Sequence, residues 1–326
     1  MNQLTTKLFS AGIIATSIAA LAGCGGGGGG GNAAASVASP TTVSGTASKG
    51  LVKQAKVLVC RIMNGVPEAD ASCVSTTTGN DGSYRVTFMD GFTGSAIVKV
   101  MASTTGSPSM MVDETTGADI PYNMTMRAVI PTVSSATTAY VTPFSEMAAS
   151  AVSTTTINAT KITQAIAAVQ SAMAGLDIDL SVMPMIDLKD NASDPNLLGM
   201  QSNMVKQLSR VALAAKNSSL LTDATGVSCN TKADPSSQIE CAITAMASIM
   251  TSYVTSDPTK TATMMQALNA QNVTGVTIPV TKPDGTIGMQ VANMTDFSSM
   301  QTVMQNAGLP TTTAANTANV MMGKMH

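Results

Sequence analysis

Between residues 41 and 131, apolar and polar positions alternate in short runs rich in Val, Thr and Ile, broken by turn residues about every eight to twelve positions. This period of two predicts strands over 42–47, 56–62, 72–77, 83–88, 96–101, 109–113 and 124–130. Gly79-Asn80-Asp81-Gly82 carries hairpin turn chemistry between two of them. Strands of this number and spacing predict a β-sandwich.

Beyond Tyr140 the period becomes helical. Ile162, Ile166, Val169 and Met173 share one face, with Asn158 placed to cap the helix and a stop near Gly175. Asp194-Pro195, Asp234-Pro235 and Asp257-Pro258 mark further helix starts, because Asp can cap the first turn and Pro at N1 needs no backbone donor. Apolar faces follow at Leu197, Met200, Met204, Leu208, Val211 and Ala215; at Ile239, Ile243, Met246, Met250 and Tyr253; and at Met264, Met265 and Leu268. Residues 276–280 and 286–291 flank Pro283-Asp284-Gly285 and predict a small β-hairpin. A last helix is expected to carry Phe297, Met300, Met304 and Ala307 before Gly308. The expected fold class is α+β, with an N-terminal β-sandwich over 41–132 followed by a mainly helical bundle with a small β-hairpin over 140–326.

Three stretches carry a family resemblance. They are Val43-Ser44-Gly45-Thr46, the run from Lys49-Gly50-Leu51-Val52 to Gln54-Ala55-Lys56-Val57, and Thr77-Thr78-Gly79-Asn80-Asp81-Gly82-Ser83-Tyr84. Together they resemble the carboxypeptidase-regulatory-like (prealbumin-like, Ig-type) domain, with Leu51-Val52 where that family commonly has Pro and Gly79 where it usually has Asp. The resemblance covers roughly 41–150 and implies a β-sandwich module without chemistry of its own. Asp113-Glu114-Thr115-Thr116-Gly117 and the run Val141-Thr142-Pro143-Phe144-Ser145-Glu146-Met147-Ala148 look like features of lipoproteins built on this plan.

The N-terminus adds a cellular address. Lys7, an apolar stretch over 8–20 and small residues up to Gly23 have the layout of an export signal over 1–23, and the apolar stretch is too short for a membrane span. Leu21-Ala22-Gly23-Cys24 resembles the lipobox of bacterial lipoproteins, which implies cleavage before Cys24 and acylation of that residue. Several acyl chains hold stably where one holds marginally, at about 0.8 kcal/mol per buried CH₂. Gly25 after the Cys implies an outer-membrane address, on the periplasmic or the cell-surface face. The glycines of 25–31 have no side chain to bury and the largest backbone entropy to lose, so 24–40 is expected to be a lipidated tether with a reach of about 20 Å.

Charge narrows the partners. Removing 1–23 takes away Lys7 and no acid, which leaves 16 basic against 19 acidic side chains, a net charge near −3. With no Lys/Arg cluster there is no electrostatic footprint for nucleic acid. The expected partners are the membrane, through the lipid, and an envelope or surface component. Once Cys24 is acylated, four cysteines remain in two closely spaced pairs, Cys60 with Cys73 and Cys229 with Cys241. Export to an oxidising compartment makes these disulfides, each adding about 3 kcal/mol by loop closure.

Absences bear on catalysis. The one His is residue 326, so no Ser-His-Asp or Cys-His set can form within the fold, and no zincin, nucleophile-elbow or Walker motif occurs. Asp177, Asp179, Asp187, Asp190 and Asp194 are the acids that could bind calcium or work as a catalytic pair, but their spacing matches no EF-hand and suits turns and helix caps. The 25 methionines mostly fall on apolar helix faces, as flexible core filler. Met321, Met322, Met325 and His326 form a terminal run with soft ligands for an ion such as Cu(I). The expectation is a non-enzymatic, cofactor-free binding or structural module displayed from the envelope, with a small-ligand or soft-metal handling lipoprotein as the alternative.

Overall fold

In chain order the strands of the first half are β1 (Thr41–Thr46), β2 (Val52–Lys53), β3 (Lys56–Met63), β4 (Val66–Pro67), β5 (Val74–Thr77), β6 (Ser83–Phe88), β7 (Ala96–Met101), β8 (Met110–Val112), β9 (Asp119–Pro121), β10 (Thr125–Ile130) and β11 (Ala136–Thr138). These belong to a computed structural model that describes residues 38–152, 156–191, 193–253, 258–274, 276–293 and 295–325. One sheet has the order β10-β7-β3, with β5 and β4 sharing the far edge of β3. A second sheet runs β11-β1-β6, and a small third one β2-β8-β9. In β3, Val57, Leu58, Val59 and Cys60 are all buried, so this strand reads as a continuous apolar run because both of its faces are covered.

The turn at Gly79-Asn80-Asp81-Gly82 departs from the expected hairpin. It joins β5 to β6, but β5 pairs with β3 and β6 pairs with β1, so the chain changes sheets here. The turn itself closes tightly, with the Gly79 amide donating to the Ser83 carbonyl at 2.8 Å and Gly82 at φ +73°. Backbone bonding of the Ala47 amide to the Gly82 carbonyl at 2.9 Å then draws the outgoing strand to β1. Turn chemistry sets the reversal, and the partner that satisfies the next strand's edge sets the sheet.

Two glycine and tyrosine positions lock β1 to the crossover that follows. A Cβ on Gly45 would lie 1.7 Å from the Ala139 carbonyl oxygen, and that same carbonyl accepts the buried Tyr84 hydroxyl at 2.5 Å. Only glycine fits. Burial pushes the Tyr84 phenol far above its ordinary range, so the hydroxyl stays a donor at any physiological pH.

The second half contains α1 (Pro143–Val152), α2 (Ala159–Ala172), the short strand β12 (Ile186–Asp187), α3 (Leu188–Asn191), α4 (Pro195–Asn217), α5 (Pro235–Tyr253), α6 (Pro258–Asn269), β13 (Val276–Thr281), β14 (Ile287–Ala292), α7 (Phe297–Asn306) and α8 (Thr311–Met325). The cap signals act as their chemistry requires: Asn158 accepts from the Lys161 amide, Asp194 from the Asn196 and Leu197 amides, and Asp234 from the Ser237 amide, while Asp296, not among the expected caps, accepts from the Ser298 amide at the start of α7. Asp257, the remaining Asp-Pro cap, lies outside the described residues. The expected hairpin forms from β13 and β14, and β12 adds to it in parallel.

α1 and α8 have no counterpart among the expected helices. All ten residues of α1 are buried, so it has no polar face and no 3.6-residue alternation to read. It packs on β10, α2 and α5. α8 packs on α4 and α7, and its Thr/Ala-rich first turns give a weak periodic signal. One apolar cluster extends through the strands and α1, α2, α4, α5 and α6, including Val43, Val98, Met126, Phe144, Ile162, Met246 and Leu268. A second cluster joins the first half of α4 to β12–β14, α7 and α8, including Leu198, Ile278, Met304 and Met321.

Candidate binding groove

The edges of the larger sheet are treated differently. At β10, the backbone of Arg127 finds its outer partners on α1: its amide donates to Glu146 Oε2 at 2.7 Å and its carbonyl accepts from Ser145 Oγ at 2.8 Å. Side chains of a helix thus stand in for a neighbouring strand and close the edge. The Arg127 guanidinium also grips Glu146, with Nη2 at 2.5 Å from Oε1, and this hydrogen-bonded carboxylate raises the arginine pKa despite its partial burial. At the other side, β5 pairs with β3 alone among the described strands, and its Ser75 and Thr77 are exposed on one face.

A groove of about 510 Å³ runs from Ser75, Thr76 and Thr77 of β5 across Lys56 of β3 to Gln54 and the 103–107 loop that follows β7. The loop is built by its own hydroxyls. Ser103 Oγ donates to the Thr105 carbonyl at 2.6 Å, the Ser103 amide donates to Ser109 Oγ at 2.8 Å, and Ser109 Oγ donates to the Gln54 carbonyl at 2.9 Å. Gln54 holds a left-handed backbone at φ 54°, unfavourable for a residue with a Cβ by about 1–2 kcal/mol. It is pinned there by its amide donating to the Thr78 carbonyl at 3.2 Å and by its side chain donating to Asn80 at 3.2 Å. The groove therefore offers hydroxyls and one ammonium, a surface suited to a polar partner.

The expected site residues separate into several fates. Cys24 and His326 lie outside the described residues. Cys60 is bonded to Cys73, and Cys229 to Cys241. The sulfurs of Cys60 and Cys73 gather with Asp70 as the one described cluster of metal-ligand type, but both sulfurs are in the disulfide and Asp70 accepts from Lys99 at 2.6 Å. Met321 is fully buried in the second core and Met322 packs against it half-buried.

Three acids of the 177–194 stretch work locally. Asp179 accepts from the Ser181 amide and hydroxyl, Asp187 accepts from the Lys189 and Asp190 amides, and Asp194 caps α4. Asp177 occupies a left-handed position at φ 50° where a short 3₁₀ turn ends. The same Asp-x-Ser/Thr turn recurs at Asp81, Asp113, Asp223 and Asp284, each accepting from the amide and the hydroxyl two residues on. Such self-satisfied turns account for much of the carboxylate content of a chain rich in Ser and Thr.

Sequence reasoning missed one buried charge cluster. Lys49, with no exposed side-chain surface, pairs with Glu114 at 2.5 Å, and the other Glu114 oxygen accepts from the Gly50 amide at 2.5 Å. Beside it Asp113 accepts from Lys216 of α4 at 2.6 Å, and the Glu114 carbonyl accepts from the Thr277 amide of β13 at 2.7 Å. Burial alone pushes the Asp113 carboxyl up, but the hydrogen bonds from Lys216 and Thr115 outweigh it and hold it below the usual range. The 113–117 loop thus ties the strands to α4 and β13. Its signal was present as Asp113-Glu114-Thr115-Thr116-Gly117, but nothing local reveals which cations it meets.

Comparison with protein families, curated proteins and solved structures finds no match to this chain. Among the described residues, no helix is long and apolar enough to cross a membrane.

Proposed function

We propose that this chain is a lipid-anchored protein of the outer membrane that acts as a non-catalytic binding or structural module, held by Cys24 on a glycine tether. On this reading, 41–132 is a β-sandwich of the carboxypeptidase-regulatory-like type and 140–326 a helical module braced against it. The observation that carries the binding role is the hydroxyl-lined groove between β5 and the 103–107 loop, next to the strained Gln54. Among the described strands the outer side of β5 has no partner, and an extended polypeptide can pair there beside the groove without any catalytic group. The use of Asp179, Asp187 and Asp194 in turns and caps supports the non-catalytic half of the reading.

A photo-crosslinking residue in place of Thr77, in the intact chain in its native cell, should give a discrete adduct. The same residue in place of the exposed Thr163 of α2 should not. Cys24→Ser should release the protein from membranes or leave an uncut precursor. Equal labelling at the two positions, or turnover of a peptide, ester or glycan substrate that is lost on Asp179→Asn with the fold intact, would reject the reading.

A further inference from the structure

Strand register gives the larger sheet two chemically different ends. One end holds Lys56, Thr77 and Met101, which lie in register, together with the hydroxyl-lined groove. At the other, Arg61 and Ile130 both pair with Ala96, while in the neighbouring sheet Thr41 pairs with Phe88 just before the 89–95 loop leads into β7. The described chain begins at this second end. Ala38 and Ser39 lie against Gly91 so closely that a Cβ there would sit 2.6 Å from the Ser39 carbonyl oxygen. The described chain therefore begins at the end opposite the groove.

This second end exposes Met63, Val66 and Met89, at 52%, 63% and 73% of their surface. Met63 and Val66 are direct cross-strand partners, so both side chains stand on one face. Met63 also shares that face with Arg61, two residues before it on β3. The Arg61 guanidinium lies 5.2 Å from the ring centroids of both Phe88 and Phe92 and bridges Asp90 at 2.8 Å, which brings the loop bearing Met89 to the same corner. Arg61 bridges Asp90 and its amide donates to Glu68 Oε2 at 3.3 Å, so the corner offers apolar side chains and no cationic field for anionic headgroups.

We infer that this corner is a membrane-facing surface, on which Met63, Val66 and Met89 enter the headgroup layer of a zwitterionic bilayer and turn the groove away from it. The inference rests on the lipid anchoring proposed above. Three side chains partition weakly by themselves. Anchoring through a tether with a reach of about 20 Å converts that partition into an intramolecular event at high effective concentration, so weak insertion suffices to orient the molecule. Unbranched methionines adapt to the irregular packing of that layer.

The test uses the full lipidated chain in phosphatidylcholine vesicles, with a nitroxide introduced singly by Met63→Cys, Met89→Cys or Thr105→Cys. Labels at 63 and 89 should gain collisions with oxygen and lose them with a water-soluble nickel chelate when vesicles are present. The label at 105, at the groove end, should do neither, and adding Met63→Ser and Val66→Ser should abolish the shift at 89. Labels at 63 and 89 that stay as water-accessible as the label at 105, on protein that floats with the vesicles, overturn the surface while leaving the anchor intact. Labels shielded from both probes report a protein partner or a second copy at this corner and overturn it equally. Protein that never floats removes the anchor and this inference with it.

Discussion

Lys49 keeps its ammonium away from solvent, and it does so because both Glu114 oxygens are used: one on the ammonium and one on the Gly50 amide. Taking two charges out of water is unfavourable, so the pair adds little net stability, but breaking it leaves a buried carboxylate alone. Lys49→Met should therefore destabilise the protein by about 3–5 kcal/mol, read as a drop in the urea midpoint without a change in slope. Asp113, next along the chain, gives a pH signature. Its folded pKa is depressed, so its contribution is present above the ordinary aspartate range, about 3.9, and is lost as pH falls through the folded value. Asp113→Asn should lower stability near neutral pH and flatten the acid limb of the stability profile, checked by urea midpoints across that limb.

Among elements, α1 shows how a helix can finish a sheet. Its residues Ser145 and Glu146 satisfy the outer edge of β10 at Arg127, a task that a further strand would otherwise perform. Glu146→Ala removes the acceptor for the Arg127 amide and the partner of its guanidinium. A loss of about 1–3 kcal/mol is expected, with faster hydrogen exchange at that one amide. The strands were legible because alternation survives wherever one face is buried: six of the seven expected strands share most of their residues with β1, β3, β5, β6, β7 and β10, and the seventh with β8. The helices with polar faces and Asp or Asn caps were equally legible. α1 was not, since a helix buried all round carries no period.

For the whole described molecule, cohesion comes from a core shared between strands and helices. Val98 and Met126 belong to the same apolar cluster as Met147 and Met246. The segment that joins the two halves is itself held, with β11 parallel to β1 and the Ala139 and Val141 amides donating to Ser44 and Thr46 carbonyls at 2.9 Å each. Ala38–His326 is one compact unit. The strands and helices should therefore unfold together, in one urea transition seen alike by far-ultraviolet circular dichroism and by the near-ultraviolet signal of Tyr84 and Tyr122. Separate transitions for the two signals would show that the halves are energetically independent.

Local chemistry by itself determined much of this protein: where strands and helices run, which Asp and Asn residues cap them, where turns fall, and which cysteines are near enough to bond. Each of these depends on residues a few positions apart, so a linear reading reaches them. Tertiary structure decided which strands share a sheet, why only glycine fits at 45, which helix closes β10, and that Lys49 meets Glu114 from 65 positions away. It also decided that, among the described strands, β5 pairs with β3 alone, and that a hydroxyl-lined groove runs from it to the 103–107 loop. Those outcomes depend on which distant backbone groups and charges are brought together when water is excluded, and no period or motif along the chain encodes that meeting.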